Sequence, residues 1–409
     1  MEKSSTTVKP DRFLRLLVAA IFLVFFNGYM LAPLIPELAH EFSVPVGKMG
    51  YIEPAYLLVY GFSTIFYGPL SDRVGRATVL KFVLGCFSAV TLAVAFAPSY
   101  EALLALRALS GLSAGGIVPI VLVLIADIYP YEKLGAPMGA VFGSVAGGIA
   151  FGSTFGAWLN PYLGWRNEFI VLAIVTAIFW GLIWHSSGDF PKTTDEPKPL
   201  SDVFYGYLAI LSQAKSRKTY FVVFMNGLFH SGIFAWLGLY LTQRYSLSAP
   251  QIGQALLGYG VPGMLLGPIM GRLADRLGRR LIIPIGAWVA SISALVLAPE
   301  IPLWAAIVMI TVLSAGYDMT QPLLAGIVTS LAPERRGQAI GLNAFLLFTG
   351  FGFGALTFQF LMRTGLGTTL LIFGIAQTLL GIFALWAFAS ERVHVPATGT
   401  ENSRTNSEG

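Results

Sequence analysis

Charged residues make up only 11% of this 409-residue chain, while 55% of residues are hydrophobic. A soluble domain carries about 25% charged residues, so most of the chain does not face water. Cysteine is nearly absent: Cys86 stands alone, which excludes an intramolecular disulfide. Four histidines scattered along the chain leave no metal site to name. No Walker motif is present, so ATP does not power the protein directly. The apolar runs also lack the period-2 alternation of a membrane barrel, which leaves helices.

What is there is a series of long apolar stretches, and mean hydropathy is +0.71. A helix needs about 20 apolar residues to cross the hydrocarbon core. Twelve candidates meet that length, at 13–36, 48–70, 78–97, 101–126, 138–160, 167–186, 219–242, 251–271, 281–298, 302–325, 339–362 and 368–390. The predicted fold class is all-α: a polytopic membrane protein with twelve transmembrane helices. Residues 1–36 resemble a secretory signal only in outline, and without a small-residue cleavage site they read as a retained first span.

The net charge of +5 raises the question of nucleic acid, and its distribution answers it. With Met1 placed inside, 21 of the 26 Lys and Arg fall on interior tails and loops. Lys48, Arg166, Arg244 and Arg363 lie on the other side, and Arg107 lies within a span. Short cytoplasmic loops retain Lys and Arg, so both termini are expected in the cytoplasm and no nucleic-acid partner is needed. The expected division is a cytoplasmic N-tail (1–12), a six-helix bundle (13–186), a cytoplasmic linker (187–218), a second six-helix bundle (219–390) and a disordered cytoplasmic C-tail (391–409). The linker contains an amphipathic stretch from Leu200 that reads as a helix on the inner membrane surface.

One phrase occurs twice. Gly68-Pro-Leu-Ser-Asp72-Arg73-Val-Gly75-Arg76 returns about 203 positions later as Gly271-Arg-Leu-Ala-Asp275-Arg276-Leu-Gly278-Arg279. Glu132-Lys133-Leu-Gly135 likewise lines up with Glu334-Arg335-Arg336-Gly337. A fixed internal period marks a repeat architecture, here two copies of one hydrophobic unit. The phrase resembles the signature loop of the major facilitator superfamily, and the resemblance covers residues 12 to 390. It implies two six-helix bundles around a central cavity that opens alternately to each side. It also implies that Gly68, Asp72, Arg73, Gly75 and Arg76, with Gly271, Asp275, Arg276, Gly278 and Arg279, latch the bundles. The alternative is a solvated loop.

Two further matches narrow the resemblance. Arg107-Ala-Leu-Ser-Gly111 in the fourth span is similar to an Arg-x-x-x-Gly element of proton-coupled members. Gly148-x-x-x-Gly152-Ser153-x-x-Gly156-Ala157 in the fifth is similar to the drug:proton antiporter motif, departing from it at Ser153 and Ala157. Close helix packing explains such small-residue spacing equally well.

Ionisable residues inside a span cost about 2.5–3.5 kcal/mol each on insertion scales and are functional candidates by default. Arg107, Asp318 and Glu53 are therefore the candidate proton-coupling residues. Asp318, one turn from Gln321, is expected to take up a proton when desolvated; a structural Asp beside Pro322 is the alternative. Glu53 sits near a span end and reads equally as an interfacial carboxylate. Asn27, Asn226, His230, Trp236 and Gln321 are candidates for the substrate cavity, with Phe26, Tyr29, Phe234 and Phe345 as possible walls. Glu168 is expected to form a local ion pair after Trp165-Arg166, and Asp127 to join the cytoplasmic charges.

Several enzyme-like patterns fail in context. Gly111-Leu-Ser113-Ala-Gly115 lies in a membrane helix rather than a strand–turn–helix. His40-Glu41 lacks a second His, and no strand precedes Gly350-x-Gly352-x-Gly354. The expected protein is not an enzyme and has no cofactor and no metal. Its partners are a small-molecule substrate, protons and the lipid bilayer. It is expected in the cell (inner) membrane as a monomeric secondary transporter exporting small organic molecules against protons. Proton-coupled uptake of a sugar, organic acid or other nutrient is the alternative, and a non-transporting receptor or scaffold the remote one.

Overall fold

The computed structural model describes residues 10–129, 135–186, 200–262, 279–389 and 391, and every regular element among them is helical. The second copy of the repeated phrase from Gly271 to Gly278, the Glu132-Lys133 echo, the Asp127 side chain, the linker before Leu200 and both tails lie outside the described residues.

Among the described residues, twelve helical spans follow one another. Span 1 is Phe13–Glu41, span 3 Arg76–Val94, span 4 Tyr100–Ile125, span 5 Pro137–Leu163 and span 6 Trp165–Ser186. Span 7 is Ala214–Tyr245, span 9 Arg279–Leu297, span 10 Leu303–Leu331, span 11 Gly337–Thr364 and span 12 Leu366–Ala387. These ten are long and apolar enough to cross a membrane. Span 2, Ile52–Val74, carries charge at both ends, and span 8 runs from 249 to 262, where the described segment ends. The outer faces expose large apolar side chains such as Phe82, Phe96, Ile174, Trp304 and Leu379, as contact with lipid requires.

Three spans are broken. Span 1 stops as an α-helix at Tyr29 and resumes at Ile35 through a 3-10 turn containing Pro33. Span 4 is interrupted at Gly115-Gly116 and span 7 at Ala235-Trp236. Spans 1 and 7 hold equivalent places in the two halves, and paired interruptions point to a binding site. Tight turns join neighbouring spans at Gly75, Gly164 and Gly365, all with φ between 74° and 102°, a region that other residues rarely enter.

The spans cross where small residues let backbones meet. A Cβ at Gly148 or Gly152 would lie 2.6 Å from Phe22 O and 2.4 Å from Phe26 O, so span 5 presses on span 1. About 202 positions later, Gly350 and Gly354 of span 11 press on Phe224 O and Leu228 O of span 7. Spans 2 and 4 meet at Gly111, and spans 8 and 10 at Gly258. Spans 3 and 6 meet at Gly85, and spans 9 and 12 at Gly374. The same pairings therefore recur in both halves.

Contacts between halves follow the same rule. Gly61 of span 2 faces Thr349 of span 11, and Gly253 of span 8 faces Thr154 of span 5. A helix at Leu200–Ser212 joins them at the end bearing the termini. Its Phe204 ring meets Phe66 at 6.4 Å, its Tyr207 hydroxyl donates to Ile65 O at 3.4 Å, and Gly206 sits against Gln338 of span 11. Burial, and then the nearby Asp72, push the Tyr207 phenol up to about 12. Tyr205 and Leu208 remain exposed, so the expected surface helix also bridges both halves.

Candidate functional site

The break in span 1 creates the site. A helix that ends at Tyr29 leaves its last carbonyls without intrahelical partners, and the helix dipole favours a cation there. Arg107 supplies it. One amino group donates to Asn27 O at 3.1 Å and Asn27 Oδ1 at 3.0 Å, and the other to Gly28 O at 2.6 Å. Its guanidinium lies 4.5 Å from the centroid of the Tyr56 ring. The Tyr56 hydroxyl donates to Val24 O, and the Asn27 amide donates to Thr91 Oγ1.

Glu53 completes the cluster. Its carboxylate is 3.6 Å from the Arg107 amino group, and both side chains are sealed from solvent, at 1% and 0% exposure. Neither oxygen of Glu53 accepts a hydrogen bond from any described residue. Position along span 2 reads equally as an interfacial carboxylate or a proton carrier; the structure buries Glu53 against Arg107. Trp236 of span 7 packs against Gly50, one turn before Glu53, where a Cβ would stand 2.2 Å from the ring. The Trp236 indole is anchored by donation to Ala355 O at 3.1 Å. Trp236 therefore closes the site from above, at the end remote from the termini. Gln359 bonding to Gly47 O and Gly238 packing on Pro33 add to the closure.

The other half holds a neutral network. Asn226 donates to Thr320 Oγ1 at 2.8 Å, and the Tyr317 hydroxyl donates to Gln377 Oε1 at 3.1 Å. His230 stacks on Tyr317 with 4.5 Å between centroids and 8° between planes. The His230 Nδ1 and Tyr259 hydroxyl are buried without described hydrogen-bond partners. Rings fill the seam between halves: Tyr29 meets Phe234 at 5.2 Å, Phe234 meets Tyr259 at 4.3 Å, and Tyr60 meets Phe348 at 4.4 Å. Where the family resemblance implies an open cavity, this seam is packed and Tyr29 and Phe234 are buried.

The remaining candidates divide. Asp318 is only half-buried and accepts from Ser314 at 2.9 Å, so Glu53 is the more desolvated carboxylate. Gln321 is half-buried with its amide nitrogen unpartnered among described residues. Phe345 packs on Phe62 across the seam, and Phe26 on Phe22. Within the first loop, Asp72 pairs with Arg76 at 3.6 Å, one turn away in its own half. Gly75 makes the turn at φ 98°, whereas Gly68 lies within span 2 facing open space, and Arg73 is exposed. Arg279 lies beside Gly326 of span 10; Gly271, Asp275, Arg276 and Gly278 are outside the described residues. Gly148, Gly152 and Gly156 all contact span 1, the last at Met30 O. Arg166 bonds to Glu41, leaving Glu168 without the expected ion pair.

Sequence reading missed Tyr56, Thr91, Thr320 and Gln377. Tyr56 carried a signal, since Glu53, Tyr56 and Tyr60 fall on one helical face. The others are reached only through contacts between spans.

Known proteins place this architecture. A computed comparison finds 27% identity over 373 residues with the uncharacterized MFS-type transporter YceJ of Bacillus subtilis (strain 168), covering 89% of this chain and 94% of that one. Multidrug resistance protein D of Escherichia coli (strain K12) is 24% identical, covering 63% of this chain and 60% of its own. Among solved structures, a bacterial homolog of the human lysosomal transporter Spinster, in an inward-facing and unoccupied conformation, superposes with a TM-score of 0.75 at 15% identity, over 96% of this chain and 100% of that one. The family described as Major Facilitator Superfamily matches over residues 17–248 and 219–407, and the chain belongs to it as a multi-pass membrane transporter.

Proposed function

We propose that the protein exports small organic molecules in exchange for protons by alternating access. It acts as a monomer in the cell (inner) membrane with both termini cytoplasmic. The carrying observation is the Glu53–Arg107 pair: a carboxylate with one cationic neighbour and no hydrogen bond to a described residue. Arg107 is fixed by three bonds to span 1, so Glu53 is the group free to change partner. A proton can replace the guanidinium as its counter-charge, because an unpaired buried carboxylate is costly.

Alternating access supplies the timing. Moving Trp236 off Gly50 opens water to Glu53 from the end remote from the termini, where it takes a proton. Separating Tyr60 and Phe25 from Phe348 opens the seam toward the termini, where it releases the proton. Cargo sits between the Glu53–Arg107 cluster and the His230–Tyr317 stack, among Asn27, Asn226 and Gln321. The half-buried Asp318 serves as a second titrating group. One proton moving down 100 mV supplies about 2.3 kcal/mol against about 1.4 kcal/mol per tenfold gradient, enough for roughly fortyfold pumping. Similarity to multidrug resistance protein D supports export.

Proteoliposomes loaded with a pH-sensitive dye test the direction. Candidate compounds are added outside without an imposed pH gradient. Lumen alkalinisation on entry means exchange for protons, as proposed; lumen acidification means cotransport and overturns the export reading.

A further inference from the structure

A second polar cluster lies at the end remote from the termini, away from the broken spans that form the transport site. Glu168 opens span 6, is 5% exposed, and neither of its oxygens is reached by solvent or by a described donor. At the same end, Asn160 of span 5 is buried at 6% and donates through its amide nitrogen to both oxygens of Glu37, each at 2.8 Å. The bond from Trp165 to Glu41 sets the start of span 6 against the short helix that carries Glu37. Glu37 itself is exposed on span 1, close enough for its charge to act on Glu168. The cluster therefore sets a carboxylate in solvent, held by a buried amide, near a buried carboxylate with no hydrogen bond from a described residue.

Nearby cations are engaged elsewhere. Arg166 bonds to Glu41 and donates to Ala97 O at 3.1 Å beyond span 3. The Trp165 indole donates to Glu41 at 2.8 Å. His40, three residues after Glu37 on the same short helix, is exposed to solvent, and Tyr162 on span 5 is exposed. A carboxylate out of water and without a counter-ion does not persist as a bare anion; it holds a cation or a proton. Among the described residues no cluster of three or more His, Cys, Asp or Glu is placed to hold a metal ion, and two carboxylates with one amide suit a single positive charge.

We propose that Glu168, Asn160 and Glu37 form a monovalent-cation site open to the outer face. Glu168 neutralises the ion, Glu37 draws it in from solvent, and Asn160 holds Glu37 in place. The occupant is an alkali ion or a proton, either of which supplies the missing unit charge. The site joins the ends of spans 1, 5 and 6, so occupancy tightens the outer end of that half.

The test uses the full chain in nanodiscs, with choline as the reference cation. Sodium and potassium are titrated against thermal unfolding, and infrared difference spectra are recorded across pH in choline alone. An alkali occupant gives a saturable rise in Tm that Glu168→Gln abolishes and Glu37→Gln shifts to at least tenfold higher concentration. A proton occupant gives a protonated-carboxyl band that Glu168→Gln removes and whose midpoint pH falls in Glu37→Gln, since the facing negative charge is lost. Glu37 is exposed, so its variant keeps the test open where Glu168→Gln fails to fold. No alkali-dependent shift in the wild type, together with no band altered by either variant, overturns the proposal. Loss of transport in Glu53→Gln leaves these readouts unchanged, which separates this site from the proposed transport mechanism.

Discussion

The two halves share one set of helix contacts and place different chemistry in them. Span 5 meets span 1 through Gly148 and Gly152, and span 11 meets span 7 through Gly350 and Gly354 at equivalent carbonyls. At the heart of the first half lie a guanidinium and a carboxylate sealed from solvent; the second centres on the neutral Asn226, Thr320, Tyr317 and Gln377, with the carboxylate of Asp318 only half-buried beside them. Among the described residues, the second half holds the same backbone arrangement without a sealed ion pair at its centre. The buried charges of the first half are therefore an addition carried at a cost, and such residues inside a membrane mark function.

Removing the charge from one side of this comparison gives the largest expected effect. Arg107→Met strands Glu53 and frees the span 1 carbonyls, and loss of one partner of a buried pair costs about 3–5 kcal/mol. Asn226→Leu removes one neutral bond, worth about 1 kcal/mol, and leaves Thr320 donating to Tyr317 O. Thermal unfolding in one detergent should rank the two in that order. Equal losses would mean that the charged cluster is ordinary packing.

Steric substitutions sharpen the comparison from the opposite direction. Gly152→Leu and Gly354→Leu each drive a side chain into a carbonyl that a Cβ alone would approach within 2.4 Å and 2.0 Å. Overpacking costs reach about 3 kcal/mol, so both variants should lose monodisperse protein by size-exclusion chromatography to a similar degree. A tolerated change in one half alone would break the equivalence. Gly156 has no small twin: about 202 positions on stands Phe358. The contact of Gly156 with Met30 at the span 1 break belongs to the first half only.

The contact that seals the charged cluster should yield a smaller, kinetic effect. In a Cys86→Ser background, a Met49→Cys thiol sits buried one turn before Glu53. Adding Trp236→Ala should speed its reaction with a membrane-impermeant maleimide about tenfold, equivalent to about 1.4 kcal/mol in the opening equilibrium. An unchanged rate would place the outer closure elsewhere.

The architecture was legible because membrane helices announce themselves by length and apolarity, and the duplication by its repeated loop. Legibility failed where depth depends on a neighbouring half. Glu53 stands second in its helix and reads equally as interfacial, yet it is buried against Arg107, with Trp236 from span 7 packed one turn away on Gly50. Asp318 stands deep in span 10 and reads as desolvated, yet it is half-buried beside Ser314. Arg107 was conspicuous as a charge, but its capping of span 1 depends on a break that Pro33 only hints at. Glu168 reads as paired with Arg166 two positions before it, and the fold gives that arginine to Glu41. Residues two apart on a helix do not face each other, so nearness in sequence carries little weight there.

The most direct measurement compares two transport modes of Glu53→Gln in proteoliposomes: substrate counterflow, and accumulation driven by an imposed proton gradient. Glutamine keeps the shape of the side chain and removes its proton chemistry. The account predicts counterflow within about threefold of wild type and accumulation reduced to the level of the unenergised control, a loss of roughly the fortyfold that one proton supports. Glu53→Gln vesicles that concentrate substrate as well as wild type would contradict it.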